Sequence, residues 1–483
     1  ILTAAIAAGA SPAFAVDEIV VTAQRREQSL QEVPVAVSAF DSNTIEQLQM
    51  NVVKDIGQNV PNLQTYTVTA GAQAIQVHSR GASVQNPGFN ASESPVGIYQ
   101  DDVYFGRLAS ANLDLADVER IEVLRGPQGT LYGRNTIAGA IKIISRTPGD
   151  ESWATGSAGI GNYDTWKLSG SVGGPIEEGA LAGSLAVLYE DRGTGWQDNP
   201  LTGAEPGQYE NLVMRGKLHW YQGDFFDAVV SVWGADLDND GYNGVPYSSP
   251  PDSSGKDTGG PLGPTFYSNL SGDGVNYGSS DQTGASLDMS FKFGFATLRS
   301  ITAFSTIDDR FGFDLSGGGS IGIDTNTQNN GLLAASDSTM DTLSQELQLL
   351  GEAFGGSVDW IVGAYYQGED GQQTYAGTLT APGPFPVFDF SEAIETDTDS
   401  YALFGQATWN LTDRLGLTAG VRWTDDEKKY QNVCTGSSCE DDVDSTPLVA
   451  DASIDESFDE VTGKLGVDYK LSDGSLVYLS WSQ

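Results

Sequence analysis

The 483-residue sequence is poor in the side chains that most often carry catalysis or bind metal ions. It has two histidines, His78 and His219, which nearly excludes a histidine-based catalytic site or a multi-histidine metal site. Its two cysteines, Cys434 and Cys439, lie close together in a polar stretch. We expect them to form a small loop disulfide, as in proteins of an oxidising compartment, because a zinc site would need more ligands nearby. We therefore expect no metal site and no resident cofactor.

Positive charge is also scarce. Lys and Arg number 24 against 65 Asp and Glu, which gives a formal net charge of −41. A chain with this net charge is repelled by nucleic acid and is not attracted to an anionic membrane leaflet. One acidic stretch, ADLDNDGYNG (235–244), imitates the start of an EF-hand, but Tyr247 stands where the bidentate glutamate belongs. We expect a solvated acidic loop there, with weak Ca²⁺ binding left open.

Long hydrophobic runs are missing as well. No stretch approaches 18 consecutive apolar residues, so the sequence predicts no transmembrane helix. Residues 1–15 run through small apolar side chains to Ala13-Phe14-Ala15, which matches the apolar region and cleavage site of a secretory signal peptide that has lost its beginning. An exported chain without a spanning helix is periplasmic, extracellular or an outer-membrane β-barrel.

The sequence changes character near residue 150, and the part before it mixes short strands with helices. Asn43 and Glu46 have N-cap and N3 spacing for a helix through about Met50, and a second short helix is expected within 52–62. Strands are expected at 33–40 and around 74–79, 96–100, 118–125 and 139–145. This pattern predicts a compact α+β domain.

From Trp153 onward the side chains alternate with period two. In LVMRGKLHW (212–220), apolar side chains share one face, and Arg215, Lys217 and His219 share the other. Long strands that are apolar outward and polar inward are typical of a transmembrane barrel. Thirteen strands are expected, at 152–160, 165–173, 180–191, 208–220, 225–236, 282–293, 295–310, 339–351, 358–369, 396–410, 414–430, 457–470 and 475–483.

The predicted connections alternate between tight turns and long loops, and aromatic residues fall near both ends of the strands. Outer-membrane barrels are built with this asymmetry, which a soluble sandwich has no reason to show. An odd number of antiparallel strands cannot close, and Gln483 falls within a strand. An open edge in lipid is unfavourable, so we expect a C-terminally truncated fragment.

A glycine-rich stretch, VLRGPQGTLYGRNTIAGAIKI (123–143), lacks the spacing of both the P-loop and the dinucleotide fingerprint. Gly126 is expected to end a strand, whereas Gly129 and Gly133 are expected in tight turns. Gly139 is expected to let a strand pass close to its neighbours. The glycines are therefore expected to shape a backbone, and not to hold phosphate.

Four segments carry a resemblance to one family. DLADVERIEVLRGPQGTLYGRNTIAGAIKIISRTP (114–148) closely resembles the plug signature of TonB-dependent outer-membrane receptors. VHSRGAS (77–83) resembles their strand-ending R-G motif, and VGIYQDDVYFGR (96–107) resembles their G-x-Y-x-D-x-V segment. DEIVVTAQRREQSLQEVPVAVSAF (17–40) looks like a TonB box that runs into the first plug strand.

The resemblance implies an α+β plug domain followed by an antiparallel transmembrane β-barrel, with about 13 of 22 expected strands present. The implied organisation is a signal-peptide remnant at 1–15, a TonB box at 16–22, a plug domain at 23–149 and a partial barrel at 150–483. The implied signature residues of the plug are Arg80, Gly81, Arg125, Gly126, Gly129, Gly133, Arg134 and Gly139.

The resemblance also implies a mechanism. Substrate binds from outside to the plug apex and the long loops, and TonB, energised through ExbB–ExbD, then pulls on the TonB box. The implied TonB-binding residues are Asp17, Glu18, Ile19, Val20, Val21 and Thr22. They are rich in β-branched side chains, and such a segment can add as a strand to a partner's sheet edge. An ordinary plug strand is the alternative.

Three plug arginines, Arg80, Arg125 and Arg134, are expected inside a polar lumen, where a buried charge must be paired. Their partners are either inward carboxylates of the barrel, with Glu346 as a candidate, or carboxylates of the plug itself. Both alternatives stay open.

A candidate ligand-binding cluster follows the VGIYQDDV segment. Tyr104, Phe105 and Arg107 are expected on a plug loop that faces the exterior. An aromatic–arginine cluster suits an anionic or aromatic ligand such as a ferric siderophore. Ordinary loop packing is the alternative.

The function expected from the resemblance is energised uptake of a scarce nutrient, a ferric siderophore first of all. Haem, cobalamin and carbohydrate receptors share this plug and stay open. A passive porin would need neither a plug of this length nor a TonB box. An enzyme would need a catalytic set that two isolated histidines hardly supply, and the plug argues against a surface adhesin.

Overall fold

The computed structural model describes residues 19–67, 74–84, 88–107, 117–196, 205–240, 276–314, 332–379, 388–436, 439, 451–472 and 475–483. The signal-peptide prediction at 1–15, and Asp17 and Glu18 of the predicted TonB box, lie outside these ranges. Within them, no helix has the length and apolar character needed to cross a membrane.

The N-terminal part is a small α+β unit, called the plug below. Its elements are β1 (Val20–Val21), β2 (Gln28–Ser29), a 3-10 turn (Leu30–Glu32), β3 (Val37–Asp41), α1 (Ser42–Gln47), α2 (Val53–Ile56), β4 (Leu63–Thr67), β5 (Ile75–Ser79), β6 (Val96–Gln100), β7 (Val103–Phe105), β8 (Val118–Arg125), α3 (Gly129–Tyr132) and β9 (Gly139–Ser145). A five-stranded sheet has the order β3-β8-β9-β6-β7, and β6 and β9 are its parallel pair. The pairs β1–β2 and β4–β5 form two smaller sheets.

Apolar side chains from both the sheet and the helices form the plug core. Ile56 of α2, Ile75 of β5, Ile98 of β6 and Ile121 of β8 belong to one buried cluster, and none is more than 1% exposed. Burying an isoleucine stabilises the folded state by roughly 1.5–3 kcal/mol. This cluster therefore joins the small β4–β5 sheet and α2 to the main sheet.

The strands predicted at 96–100, 118–125 and 139–145 are confirmed. The strand predicted at 33–40 begins only at Val37, since the ladder with β8 starts there. The N-cap prediction at Asn43 is wrong. Asp41 caps α1, because its carboxylate accepts a hydrogen bond from the Thr44 amide at 2.8 Å. Short elements without a long apolar pattern were not predicted, namely β2, the 3-10 turn, β4, β7 and α3.

The rest of the chain forms one antiparallel sheet of thirteen strands, each paired with its neighbours in sequence. The strands are β10 (Trp153–Gly161), β11 (Thr165–Glu177), β12 (Leu181–Arg192), β13 (Tyr209–Gln222), β14 (Phe226–Asn239), β15 (Tyr277–Lys292), β16 (Ala296–Asp314), β17 (Leu332–Ala353), β18 (Val358–Leu379), β19 (Phe388–Asn410), β20 (Leu415–Thr435), β21 (Ala452–Ser472) and β22 (Ser475–Ser482). Strands β10 and β22 are the edges of this sheet. Each of the thirteen predicted strands occurs.

Several strands are longer than predicted. The strand expected at 339–351 extends over Leu332–Ala353, and the one expected at 358–369 extends over Val358–Leu379. The added residues continue the same hydrogen-bonded ladder with polar side chains. Period-two alternation of apolar residues therefore marks only the apolar part of these strands, and it misses the polar extension toward the long connections.

The two faces of the thirteen-stranded sheet differ in polarity, as the alternation predicted. On β13, Leu218 and Trp220 are exposed on the outer face, whereas Arg215 and Lys217 are buried on the inner face. On β18, Val362 is exposed, and Gln367 and Glu369 are buried. This apolar-out, polar-in arrangement matches a barrel wall that meets lipid.

The plug lies against the inner face of the sheet, and its N-terminal segment lies near the tight turns. Arg26 donates hydrogen bonds to Asp359 and to the carbonyl groups of Gly351 and Trp360, beside the turn between β17 and β18. We call this end of the sheet the tight-turn end. The long connections lie at the opposite end, which we call the long-loop end.

Candidate functional site

The predicted TonB-box residues that the structure describes are docked on the plug as a short strand. Val20 lies opposite Ser29 and Val21 lies opposite Gln28 in the β1–β2 pair. Val21 is fully buried, whereas Val20 is 42% exposed. The segment therefore forms a plug strand in this conformation, and its binding to TonB stays a prediction.

Thr22, the last residue of this segment, is held by buried charged groups. Its backbone amide donates to Glu122 Oε1 at 2.8 Å, and Lys142 Nζ donates to its hydroxyl oxygen at 2.6 Å. Both Glu122 and Lys142 are almost completely buried. The Tyr132 hydroxyl also donates to the carbonyl oxygen of Ala23 at 3.0 Å. The end of β1 is therefore fixed by side chains of β8, β9 and α3.

Asp102, in the turn between β6 and β7, contacts three cationic side chains. Its carboxylate lies 2.7 Å from Arg25 Nη1, 3.2 Å from Lys142 Nζ and 2.9 Å from Arg299 Nη2 on β16. Burial alone raises the pKa of the Asp102 carboxyl, but Lys142, Arg299 and Arg25 hold it well below its usual range. Asp102 is therefore ionised at neutral pH. Burial lowers the pKa of Lys142, more than the nearby carboxylates raise it.

Asp101, in the same turn, joins the plug to another part of the wall. It accepts hydrogen bonds from the amide and hydroxyl of Ser145 at 2.9 and 2.6 Å, and it lies 3.1 Å from Lys217 Nζ on β13. Asp101 and Asp102 have positive φ angles of 49° and 64°. Such a conformation is uncommon for residues other than glycine, and aspartate is among those that tolerate it best. The turn therefore presents two carboxylates to the inner face of the sheet.

Glu346, the predicted barrel partner of a plug arginine, contacts Arg25, which the sequence did not single out. Arg25 Nη2 lies 3.4 Å from Glu346 Oε2, and Gln348 Nε2 donates to the other oxygen at 2.5 Å. None of the three arginines predicted to meet barrel carboxylates contacts Glu346 in the structure. The class of contact predicted for Glu346 occurs, but with a different arginine.

Arg134 pairs with carboxylates of both domains, so both alternatives left open by the sequence occur at this residue. It donates to Glu369 Oε2 on β18 at 2.7 Å and to Glu93 Oε1 of the plug at 3.2 Å. Arg107 shares Glu369 at 2.9 Å, and Lys428 on β20 lies 2.7 Å from Glu93. Glu369 and Glu93 were not predicted from the sequence.

The pKa of Glu93 reflects this surrounding. Burial alone raises it, but the guanidinium of Arg134, the ammonium of Lys428 and the guanidinium of Arg107 together lower it to about 2. The carboxylate of Glu93 is thus charged at any physiological pH and holds the loop before β6 against β20.

Arg80 and Arg125 do not form the predicted ion pairs with any residue that the structure describes. Arg80 is exposed, and its guanidinium packs against Gly126. Arg125 hydrogen-bonds through its backbone amide to the Ala36 carbonyl, which extends the pairing of β8 beyond the β3 ladder. The predicted pairing of these two side chains is therefore not found within the described ranges, whereas their place in the lumen stays a prediction.

Among the glycines of the plug signature, Gly133 and Gly139 are required by the backbone. Gly133 has φ of +88°, and a Cβ there would come 2.6 Å from Nη2 of Arg422 on β20. Gly139 has φ of +151°, and a Cβ there would clash with the Leu124 carbonyl oxygen. Gly129 differs from the prediction, because it begins α3 and a Cβ there would meet nothing within 4 Å.

The candidate ligand-binding cluster is buried between plug and wall. Tyr104 and Phe105 belong to strand β7, so the loop prediction is wrong for these two residues, whereas Arg107 follows the strand. Phe105 packs against Trp233 of β14 with ring centroids 6.1 Å apart, and Arg107 is bound to Glu369. These side chains have their partners within the protein in this conformation, and their contact with a ligand stays a prediction.

Two further sequence features can be placed in part. A disulfide joins Cys434 to Cys439, with Cα atoms 5.7 Å apart, at the long-loop end of β20. In the EF-hand-like stretch, Asp236 and Asp238 belong to strand β14, and residues 241–275 lie outside the described ranges. Across the described parts of the chain, no group of three or more His, Cys, Asp or Glu side chains is arranged to hold a metal ion.

Family comparisons agree with this two-part architecture. The family described as "TonB-dependent Receptor Plug Domain" matches residues 29–140, and the family described as "TonB dependent receptor-like, beta-barrel" matches residues 231–483. The chain belongs to the TonB-dependent receptor family. The barrel family alone covers more than half of the sequence.

Individual relatives are more distant. The chain is similar to the vitamin B12 transporter BtuB of Photobacterium profundum, with 26% identity over an alignment of 239 residues that covers 45% of this chain and 38% of that protein. The chain spans less than half the length of the curated relatives it matches.

Solved structures show the same fold. The ferric yersiniabactin uptake receptor FyuA of Yersinia pestis superposes with a TM-score of 0.76 at 20% identity, covering 92% of this chain and 64% of that chain. The siderophore receptor PiuA of Acinetobacter baumannii superposes with a TM-score of 0.74 at 17% identity, covering 94% and 65%. At these identities the likeness concerns the fold.

Proposed function

We propose that the protein is an outer-membrane receptor that takes up a scarce nutrient with energy supplied through TonB, and that the nutrient is a ferric siderophore. The observation that carries this proposal is the plug itself. It fills the inner face of the sheet and is bound there by buried ion pairs such as Arg134–Glu369. A chain folded in this way obstructs passive diffusion, so transport requires that the plug rearrange.

The docked N-terminal strand supports the use of an external energy source. β1 lies at the tight-turn end, held by one pairing partner, β2, and by the contacts of Thr22. A two-residue pair is a weak hold by itself, because an isolated two-stranded ribbon is marginally stable at best. Such a strand can leave the plug and add to the sheet edge of a partner, which is the mode we propose for TonB.

The long-loop end supports an aromatic iron chelate as the substrate. Phe89 of the plug packs against Tyr375 of β18 with ring centroids 5.0 Å apart, and Tyr375 packs against Phe390 of β19 at 5.6 Å. Aromatic faces of this kind stack on planar aromatic ligands. The fold is shared with FyuA, named as a ferric yersiniabactin uptake receptor, and with PiuA, named as a siderophore receptor. This likeness also favours an iron chelate as the substrate.

Cobalamin uptake is the second candidate. It is favoured by the similarity to the vitamin B12 transporter BtuB over almost half of this chain. Haem is itself a planar aromatic iron chelate and fits the same ring faces, so it stays open, whereas no contact in the described residues favours a carbohydrate.

Uptake by cells that produce the protein and lack their own receptors tests both parts of the proposal. Labelled ferric siderophores, cobalamin and maltodextrins are supplied separately, each with and without a protonophore. We expect accumulation of an iron chelate that stops when the proton gradient collapses. Accumulation that continues without the gradient would indicate a passive pore, and accumulation of cobalamin alone would replace the substrate.

A further inference from the structure

Arg422 on β20 is a buried cation that pairs with no carboxylate of the described ranges. The residue is 4% exposed, and its guanidinium donates a hydrogen bond to the hydroxyl oxygen of Thr424 at 3.0 Å. Glu346, the carboxylate that acts on it most strongly, is itself bound by Arg25. Arg134, by contrast, is bound to two carboxylates. The charge of Arg422 is therefore left without a counter-ion in this conformation.

Aromatic rings surround the guanidinium of Arg422 instead. Its central carbon lies 5.4 Å from the ring centroid of Phe404 on β19 and 5.8 Å from that of Tyr365 on β18. Such contacts stabilise a cation, but they do not neutralise its charge. A buried charge that lacks a counter-ion is unfavourable. The arrangement therefore favours an anion that occupies this place for part of the time.

A second cation lies beside Arg422. At this height the inner residues of β19, β20 and β21 form two paired rows, Phe404–Arg422–Thr462 and Gln406–Gly420–Lys464. Directly paired residues share a face of the sheet, and Gly420 marks the inner face because a Cβ there would lie 2.8 Å from Thr130 of α3. Lys464 forms no ion pair with a described residue. The two rows therefore present two cations and no carboxylate to the lumen. We call Arg422 and Lys464 the cationic pair.

Helix α3 of the plug covers the cationic pair. Thr130 of this helix lies against Gly420, between the two cations. Gly133, which follows the helix, comes so close to the wall that a Cβ there would lie 2.6 Å from Nη2 of Arg422. No ligand fits between helix and wall at these distances. Access to the cationic pair therefore requires that α3 move, as proposed for the plug during uptake.

A polar cavity extends from the row of Lys464 to the tight-turn end. Its volume is about 230 Å³, and Gln406, Thr408 and Asn410 of β19 line it. Gln406 is paired with Gly420, which places the upper part of the cavity beside the cationic pair. The side-chain oxygen of Gln406 has no hydrogen-bond partner among the described residues. Polar space for a hydrated solute therefore exists on the tight-turn side of α3.

We propose that Arg422 and Lys464 form a transient binding site for an anionic iron chelate on its passage through the lumen. The site is covered by α3 while the plug is closed, and it opens when α3 leaves the wall. Arg422 then donates N–H groups to oxygen atoms of the chelate, and Lys464 adds a second positive charge. This inference rests on the proposed function and deepens it, because it specifies an anionic substrate.

Block of ion current measures binding at this site without transport. The protein is placed in a planar bilayer, and urea below the concentration that unfolds the strands loosens the plug in every variant. The probes are a trianionic ferric tris-catecholate and a neutral ferric tris-hydroxamate, which differ in charge but are similar in size. The concentration that halves the current is determined for each probe.

Arg422→Gln should raise the half-blocking concentration of the tris-catecholate about tenfold, as expected for loss of a charge-assisted hydrogen bond. Arg422→Lys keeps the charge and should raise it by a smaller factor, as should Lys464→Gln. The value for the neutral tris-hydroxamate should not change. Arg192→Gln is the matched control, because Arg192 also lies over an aromatic ring, that of Tyr209, but at the long-loop end of β12. It should change the value by less than about twofold, since distant charges are screened by salt.

Thermal unfolding of the closed protein is the second measurement. Because Arg422 has no counter-ion, Arg422→Gln should not lower the unfolding temperature, whereas loss of one partner of a buried ion pair does. A marked fall in this temperature would assign Arg422 a structural role and overturn the proposal. The proposal is also overturned if the tris-catecholate does not block the wild type, if Arg422→Gln leaves its half-blocking concentration unchanged, or if both probes are weakened equally. Because no uptake is measured, each of these failures is distinct from failure of the proposed function.

Discussion

Arg134 of the plug donates a hydrogen bond to Glu369 of the wall at 2.7 Å, and both side chains are almost completely buried. The two residues are 235 positions apart in sequence. Arg107 binds the same carboxylate at 2.9 Å. A single glutamate on β18 therefore neutralises two plug arginines and ties the plug to the inner face of the sheet.

We predict that Glu369→Gln loosens the plug. Removal of one partner from a buried ion pair costs about 3–5 kcal/mol, and the cost lies near the lower end here because Arg134 keeps Glu93. The thermal unfolding temperature in detergent should fall, and single-channel conductance in a planar bilayer should rise. Asp397→Asn is the control, because its pair with Lys429 is exposed and should contribute about 0–1 kcal/mol. Equal effects of both variants would contradict the account.

The stabilisation that Glu93 contributes should depend on pH in a defined window. Its pKa in the folded protein, about 2, lies below the value of 4.5 of an ordinary glutamate. The ionised carboxylate therefore stabilises the folded state fully above pH 4.5, and this stabilisation is lost as the pH falls toward 2. Unfolding temperatures of the wild type and Glu93→Gln should differ by a constant amount from about pH 7 to about pH 5 and converge below that. Convergence already near neutral pH would show that Arg134 and Lys428 do not hold the carboxylate.

The two glycines at the ends of α3 should respond differently to the same change. Gly133→Ala introduces a Cβ at φ of +88° and 2.6 Å from the Arg422 guanidinium, so it should destabilise the protein by about 1–3 kcal/mol. Gly129→Ala adds a side chain in open space at a helix start and should change stability by less than about 1 kcal/mol. Thermal unfolding of both variants measures this. A larger loss in Gly129→Ala would contradict the description of this turn.

An aromatic iron chelate as substrate makes a further prediction at the long-loop end. Phe89→Leu keeps an apolar side chain but removes the ring that packs on Tyr375, so chelate affinity should fall about threefold to tenfold, as expected for lost aromatic stacking. Phe291→Leu is the control, because Phe291 packs against Phe225 and Phe226 beside the tight turns, at the other end of the sheet. Affinities can be measured by quenching of intrinsic fluorescence on titration. An unchanged affinity in Phe89→Leu would remove the aromatic cluster from the ligand site.

The architecture could be predicted from the sequence because each barrel strand alternates apolar, outward-facing residues with polar, inward-facing residues. Period-two alternation located all thirteen strands, but it missed the extensions of strands such as β17, β18 and β19 beyond the predicted part. The same alternation, continued along β18, places Glu369 on the face of Gln367 and could have identified it as an inward carboxylate.

The ion pairs between the plug and the barrel could not be predicted from such a local pattern. Arg25 and Glu346 are 321 positions apart, and nothing in either local pattern specifies the other. The N-cap of α1 was missed for a different reason, since both Asp41 and Asn43 are suitable residues and only the backbone decides between them. Local sequence patterns therefore predict the strands, whereas tertiary packing determines which charged side chains contact one another.

The central claim is that the β1 segment is pulled by TonB to energise uptake, and a pair of proline variants tests it most directly. Val20→Pro removes the backbone donor that strand addition to a partner requires. Ser29→Pro is the matched control, because Ser29 lies opposite Val20 in β2 and its φ of −59° already suits proline. Accumulation of labelled ferric siderophore in energised cells should be lost in Val20→Pro and kept in Ser29→Pro. Uptake that persists in Val20→Pro, or that is lost equally in both, would contradict the claim.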